Sequence, residues 1–117
     1  MSVTEPNVQS ILLGDAIERA PVAVLVADDE ARYVAANSYA CELLGYPRDE
    51  LLALNVTDVA HYPGAGAEYA RVVAGEKARG VSRLRRKDGT ELTFVYRAGE
   101  TTIAGMTYYV AVGWPAE

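Results

Sequence analysis

The order of local patterns constrains this chain more than any single motif does. Val22 to Ala27 is short and rich in β-branched residues, and Arg32 to Ala36 follows it across the turn Asp28-Asp29-Glu30, which predicts two paired strands. A helical block comes next. Asn37 or Ser38 caps a helix with the apolar face Tyr39, Ala40, Leu43 and Leu44, and Gly45 ends it. Pro47 opens a short helix at its first turn, with Asp49 and Glu50 favourable at the positive end of the helix dipole. Thr57 or Asp58 starts another short turn, His61 to Gly66 is a Pro/Gly loop, and Ala67 to Gly75 reads as a helix. The last third is strand-like: Gly80 to Arg86, Glu91 to Ala98 and Met106 to Trp114. Lys87-Asp88-Gly89-Thr90 predicts a type I′ hairpin turn, and Gly99 to Gly105 a looser one. Two strands, a helical block and three strands predict an α+β fold, an antiparallel sheet with helices on one face.

Ahead of this core, residues 1–7 are mostly polar, carry a proline and are expected to be disordered. Residues 8–20 form a flanking helix, with Val8, Ile11, Leu12, Ala16 and Ile17 at steps of three and four, and Pro21 ends it. The domain is thus expected over 8–114, its core over 22–114, with a tail at 115–117. The chain's 117 residues, half of them hydrophobic, suffice for one packed core. A net charge of −5 disfavours a nucleic-acid partner. The apolar run Ala20 to Ala27 is too short to cross a bilayer, and Met1-Ser-Val-Thr-Glu-Pro6 lacks the pattern of a secretory leader, so no membrane association is expected. The single cysteine, Cys41, excludes an internal disulfide and fits the cytoplasm.

Little in the sequence carries catalytic chemistry. Cys41 has no neighbouring base or cation to activate it and reads as structural. Asp28, Asp29 and Glu30 sit in a turn where acidic residues serve local hydrogen bonds. Gly64-Ala-Gly66 lacks the lysine and the preceding strand of a phosphate loop. With one histidine and one cysteine, no metal site is expected. Arg79, Arg83, Arg85, Arg86 and Lys87 form a basic run that reads as edge-strand protection or, alternatively, as a patch for an acidic partner or anionic ligand.

Four segments in order, Ala23-Val-Leu-Val-Ala-Asp28, Arg32-Tyr-Val-Ala-Ala-Asn37, Leu43-Leu-Gly-Tyr-Pro-Arg-Asp-Glu-Leu51 and Arg86-Lys-Asp-Gly-Thr-Glu-Leu-Thr-Phe94, resemble a PAS domain of bacterial signalling proteins. The resemblance spans roughly residues 10–114 and implies a five-stranded antiparallel sheet with helices on one face and an N-terminal helix. It also implies a sensory or protein-interaction module, not an enzyme, that dimerises and transmits a conformational state to an effector. The alternatives are a PAS sensor with a bound small molecule or cofactor and, from another class, a small α+β enzyme or carrier. The photoactive flavin motif Gly-x-Asn-Cys-Arg-Phe-Leu-Gln is matched by Ala53-Leu-Asn-Val-Thr-Asp-Val-Ala60, with Val56 at the cysteine position. A haem-binding relative would carry its axial histidine on the helix before Gly75, whereas His61 lies in the loop ahead of that helix. Neither flavin nor haem is therefore expected. The Asp-Ile-Thr ending of many PAS domains is replaced by Val112-Gly-Trp-Pro-Ala-Glu117.

By this resemblance Leu25, Ala27, Phe94, Tyr96, Tyr109 and Ala111 face the helices. Tyr39, Leu43, Val56, Tyr69, Val72, Val73, Ser82 and Leu84 complete the candidate ligand pocket. Phe94, Tyr96 and Tyr109 are large enough to leave it filled or nearly filled. The opposite face, with Val24, Val26, Val95, Tyr108, Val110, Val112 and Trp114, is too apolar to face water. These residues, with Ile11, Leu12 and Ile17, are the candidate homodimer interface.

Overall fold

A computed structural model describes residues 2–116. The elements are α1 (Pro6–Glu18), β1 (Ala23–Ala27), β2 (Tyr33–Ala36), α2 (Ser38–Leu44), α3 (Arg48–Leu51), α4 (Val56–Val59), α5 (Ala65–Val73), β3 (Arg79–Arg85), β4 (Glu91–Ile103) and β5 (Met106–Pro115). The strands form one antiparallel sheet in the order β2-β1-β5-β4-β3, with α2 to α5 packed on one face. Its central strands, β1 and β5, come from opposite ends of the chain, so the core closes only when both ends have met. Leu44, Leu51 and Val59 from the helices are fully buried against Leu25, Phe94 and Leu84 from the sheet.

Several expected boundaries move, each for a local reason. The N-terminal helix starts at Pro6 instead of residue 8, because proline at the first turn loses no hydrogen bond there. It stops at Glu18, and residues 3–5 form a turn leading into it; Met1 lies outside the described residues. Pro47 is the cap of α3 and not its first-turn residue. The α4 turn starts at Val56, ahead of Thr57, since the Asp58 carboxylate accepts from the Asn55 backbone N–H at 2.8 Å. Helix α5 runs two residues earlier than expected, beginning after Gly64 in the left-handed conformation (φ 90°). Pro115 belongs to β5 and the Ala116 N–H donates to the Thr93 carbonyl, so the expected tail is paired; Glu117 lies outside the described residues.

Both hairpins exchange the turn types expected of them. At 86–90 only Gly89 has positive φ, and Arg86 exchanges backbone hydrogen bonds with Thr90 and Gly89, which gives a three-residue loop and no type I′ turn. Asp88 holds that loop by accepting from the Thr90 N–H at 2.9 Å. At the other hairpin β4 continues to Ile103 and pairs with Met106 across Ala104-Gly105, both at positive φ, so the loose loop is a tight two-residue turn. From Thr101 to Tyr108 the β4–β5 pair extends as a two-stranded arm past its neighbours.

Helix α1 buries no residue: Ile11, Leu12, Leu13 and Ile17 are all about half exposed or more. With no residue buried, it does not cover the outer face of the sheet. What holds it is its C-terminal end. Glu18 accepts from the Ser38 N–H at 2.7 Å and pairs with Arg48 at 2.6 Å, and Arg48 also donates to the Ala36 carbonyl. These hydrogen bonds hold the Glu18 carboxyl below its ordinary range, that from the Ser38 hydroxyl most of all.

Candidate functional site

Between the sheet and α4–α5 lies a cavity of about 90 Å³. That is enough to hold water but well short of the roughly 300 Å³ at which drug-sized ligand pockets begin. The core is thus nearly filled, chiefly by Phe94, Tyr96 and Tyr109. The ring of Phe94 lies across Gly113, where a β-carbon would collide with the ring and come within 2.5 Å of the Val95 carbonyl.

Of the residues singled out in sequence, Leu25, Ala27, Val56, Tyr69, Val72, Ser82, Leu84, Phe94, Tyr96, Tyr109 and Ala111 line this cavity. Tyr39, Leu43 and Val73 do not. Tyr39 and Leu43 sit on α2 and pack partly buried against the core from its other end, while Val73 lies next to the lining Val72 on a helix that turns it elsewhere. Leu44, not Leu43, is the fully buried residue of that pair, and Val72 is only half-buried.

The cavity gains Tyr33, Ala60, Tyr62, Ala65, Glu68 and Ala98, which were not among the candidates, and Val110, which was expected on the outer face, also borders it. Ala98 follows from strand alternation. Tyr33 does not, because a bulge breaks the β1–β2 register between Val26 and Ala27 and turns both Tyr33 and Ala36 inward. Tyr62 and Glu68 were hidden because the Pro/Gly loop and the start of α5 read as surface.

Polar groups line two parts of the cavity differently. At the α5–β3 rim the Glu68 carboxylate accepts from the Tyr62 hydroxyl and pairs with Lys77 at 2.5 Å, both partners of the ion pair mostly buried. The Ser82 hydroxyl adds a 3.3 Å bond to Tyr62. Burial alone would raise Glu68, but the bonds from Lys77 and Tyr62 outweigh it and hold the carboxyl below its usual range. Burial, then the neighbouring Glu68 charge, raises the Tyr96 hydroxyl. The Tyr69 hydroxyl donates to the Asp28 carbonyl at 2.7 Å, and its ring meets Tyr109 edge-on at 6.3 Å between centroids.

Tyr33 is the exception. It is 6 % exposed, and its hydroxyl makes no hydrogen bond among the described residues. No polar side-chain atom sealed from solvent lacks a partner among the described residues, so this hydroxyl is not fully sealed, and Tyr33 is one of the residues that line the cavity. Burial raises it far above the ordinary phenol range, and the group is a neutral donor at any ordinary pH.

The remaining candidates stand apart. Cys41 is a half-buried free thiol whose pKa is pushed up by burial, the opposite of activation. His61 is exposed on a shallow depression with Thr57, Pro63 and Gly64. Among the described residues no three His, Cys, Asp or Glu side chains are grouped to hold a metal, and no helix is long and apolar enough to cross a membrane.

On the outer face the register groups Val24 with Val112, Val26 with Val110, and Trp114 with Val95 and Val81. All seven outer-face candidates, Tyr108 included, are half-buried or exposed, and Trp114 is 41 % exposed.

A family model described as the PAS fold matches residues 13–113. The chain belongs to the PAS family, whose fold serves sensing and signalling. No curated protein matches it significantly. Among solved structures it is similar to a PAS domain from a two-component sensor histidine kinase, at 13 % identity and a TM-score of 0.82, covering 96 % of this chain and all of that one. It is also similar to a domain of a sensory box sensor histidine kinase/response regulator from Geobacter sulfurreducens, at 25 % identity and a TM-score of 0.75, covering 96 % and 98 % of the two chains. A third is the PAS domain of an HTR-like protein from Haloarcula marismortui, at 19 % identity and a TM-score of 0.80, covering 92 % of each.

Proposed function

We propose that this chain is a non-catalytic sensory and protein-interaction module of a signal-transduction protein that acts as a homodimer and passes on a conformational state. The supporting observation is the pair of uncovered apolar surfaces, α1 and the outer sheet face. Ile11 is 71 % and Ile17 49 % exposed on a helix that buries nothing in its own chain. An isologous patch is the commonest way to close such surfaces. The attachment of α1 through Ile17 and Glu18 to the β2–α2 corner and to Arg48 gives a route by which a shift in the core reorients the helix. Cys41 as a free thiol suits a cytoplasmic setting. The polar rim supports the non-catalytic reading, since Glu68, Lys77 and Tyr62 are satisfied by one another.

Light scattering at micromolar concentration tests the dimer. A stable interface buries roughly 1,200–2,000 Å² in total, and aromatic anchors dominate such interfaces. Twice the monomer mass is expected for the wild type and the monomer mass for Trp114→Glu; a monomeric wild type would refute the reading.

One observation favours a second reading, a ligand sensor: the unpartnered hydroxyl of Tyr33, a residue that lines the cavity. At about 90 Å³ the ligand is confined to a small neutral molecule with a hydrogen-bond acceptor. Haem and flavin are far larger, and an absorption band of either that survives gel filtration would overturn this size limit.

A further inference from the structure

Arg79 and Arg97 stand directly opposite each other across the β3–β4 pairing, on the sheet face away from the helices. Both are exposed, and neither has a carboxylate within ion-pair distance among the described residues. Like charges directly opposite on a sheet destabilise it. By strand alternation Arg83 shares this face, also without an ion pair, and so does Arg85, which lies opposite Glu91, in a chain that carries 16 acidic residues and a net charge of −5. Charge on a terminal strand discourages unwanted strand pairing, and that accounts for β3. It does not account for Arg97, which lies on β4 with a strand on either side. Beside the arginines, Val81 is 61 % exposed and lies opposite Val95, with Trp114 next in the row. The outer backbone edge of β3 has no strand partner, since β3 ends the sheet.

We propose that this corner is a docking surface for an acidic, extended segment of a partner protein, which adds as a strand to the free edge of β3. Main-chain pairing supplies the affinity of such a complex and alternate side chains its specificity. Carboxylates of the segment meet Arg79 and Arg83, with Arg97 backing Arg79, and an intervening apolar side chain rests on Val81. Guanidinium forks match carboxylates in pairs of parallel hydrogen bonds, which explains why two unpartnered arginines are held together. A protein segment fits better than a nucleic acid because the chain's overall negative charge repels a polyanion and because an exposed valine at the centre of the patch has no use for phosphate. This inference goes beyond the homodimer and does not depend on it.

The test is fluorescence anisotropy with a labelled peptide of about ten residues, a strand's length, alternating glutamate and valine. Its controls are the same peptide with glutamine for glutamate and a labelled oligothymidine. The glutamate peptide is expected to bind, more weakly at about 300 mM salt than at about 50 mM as screening shortens the reach of its charges. Arg79→Gln/Arg97→Gln should weaken it about tenfold or more, the equivalent of losing one charge-assisted hydrogen bond. Arg71→Gln, on α5, should leave binding unchanged. Both variants are at exposed positions, and the double variant should melt no lower than the wild type because it removes a repulsion; if it does melt lower, Arg83→Gln alone carries the comparison. Absent binding, equal binding of the glutamine peptide, indifference to the double variant, or tighter binding of oligothymidine at the same arginines would each overturn the proposal.

Discussion

The Asn37 side-chain amide donates to the Ile17 carbonyl at 2.8 Å and thereby joins the end of α1 to the corner between β2 and α2. The same amide donates to the Val22 carbonyl at 2.9 Å, while its oxygen accepts from the Val24 and Ala40 backbone N–H groups at 2.9 and 3.1 Å. One buried side chain thus caps α2, fixes the start of β1 and holds α1. Asn37→Ala is expected to cost about 3 kcal/mol, combining a lost cap with unpaired buried groups. Asn37→Asp keeps the accepting oxygen but turns two donor contacts into repulsions with carbonyls. Hydrogen exchange should then show α1 released ahead of the core; equal protection of α1 in both proteins would refute this role.

Phe94 and Gly113 form a second constrained pair, a ring lying over a position that has no side chain. Phe94→Ala should lose about 3–5 kcal/mol in chemical denaturation, the usual range for emptying a core aromatic site. Gly113→Ala should also destabilise, by about 1–3 kcal/mol, because the added methyl strikes the ring and the Val95 carbonyl. A loss below about 1 kcal/mol for Phe94→Ala would remove it from the inner face.

The Glu68–Lys77 pair predicts an acid-sensitive rim. Because the folded-state pKa of Glu68 lies below its usual value of 4.5, its ionised form stabilises the fold above that pH. The contribution is lost as pH falls below 4.5 and through the folded-state value. Melting temperatures measured from neutral pH to about pH 3 should fall less steeply for Glu68→Gln than for the wild type below pH 4.5. Parallel curves would contradict the coupling.

Tyr33 and Tyr69 separate a committed hydroxyl from an uncommitted one. Tyr69→Phe removes the bond to the Asp28 carbonyl and should cost about 1 kcal/mol. Tyr33→Phe removes no hydrogen bond and should change stability by less than about 0.5 kcal/mol, in either direction. A loss above about 1 kcal/mol for Tyr33→Phe would show that its hydroxyl is structural and would remove the support for a cavity ligand.

What the sequence determined by itself is local and periodic. Asn37 at the cap and Gly45 at the end of α2 were legible because capping and the left-handed conformation depend on a few neighbouring residues. The two sheet faces were separable because side chains alternate, so parity set Tyr109 apart from Trp114 and Phe94 apart from Val95, and the family resemblance said which set faces inward. What the tertiary structure decided are the matters on which parity and propensity are silent. The bulge that turns Tyr33 inward is a mismatch between two strands and has no signature in either one. Glu68 meets Tyr62 and Lys77, Ser82 meets Tyr62, and Arg79 meets Arg97, only because the fold brings separate elements and loops together. Helix α1 carries a recognisable helical pattern, yet the pattern of Ile11, Leu12 and Ile17 does not say what covers it, since burying an apolar face depends on which surface is offered to it.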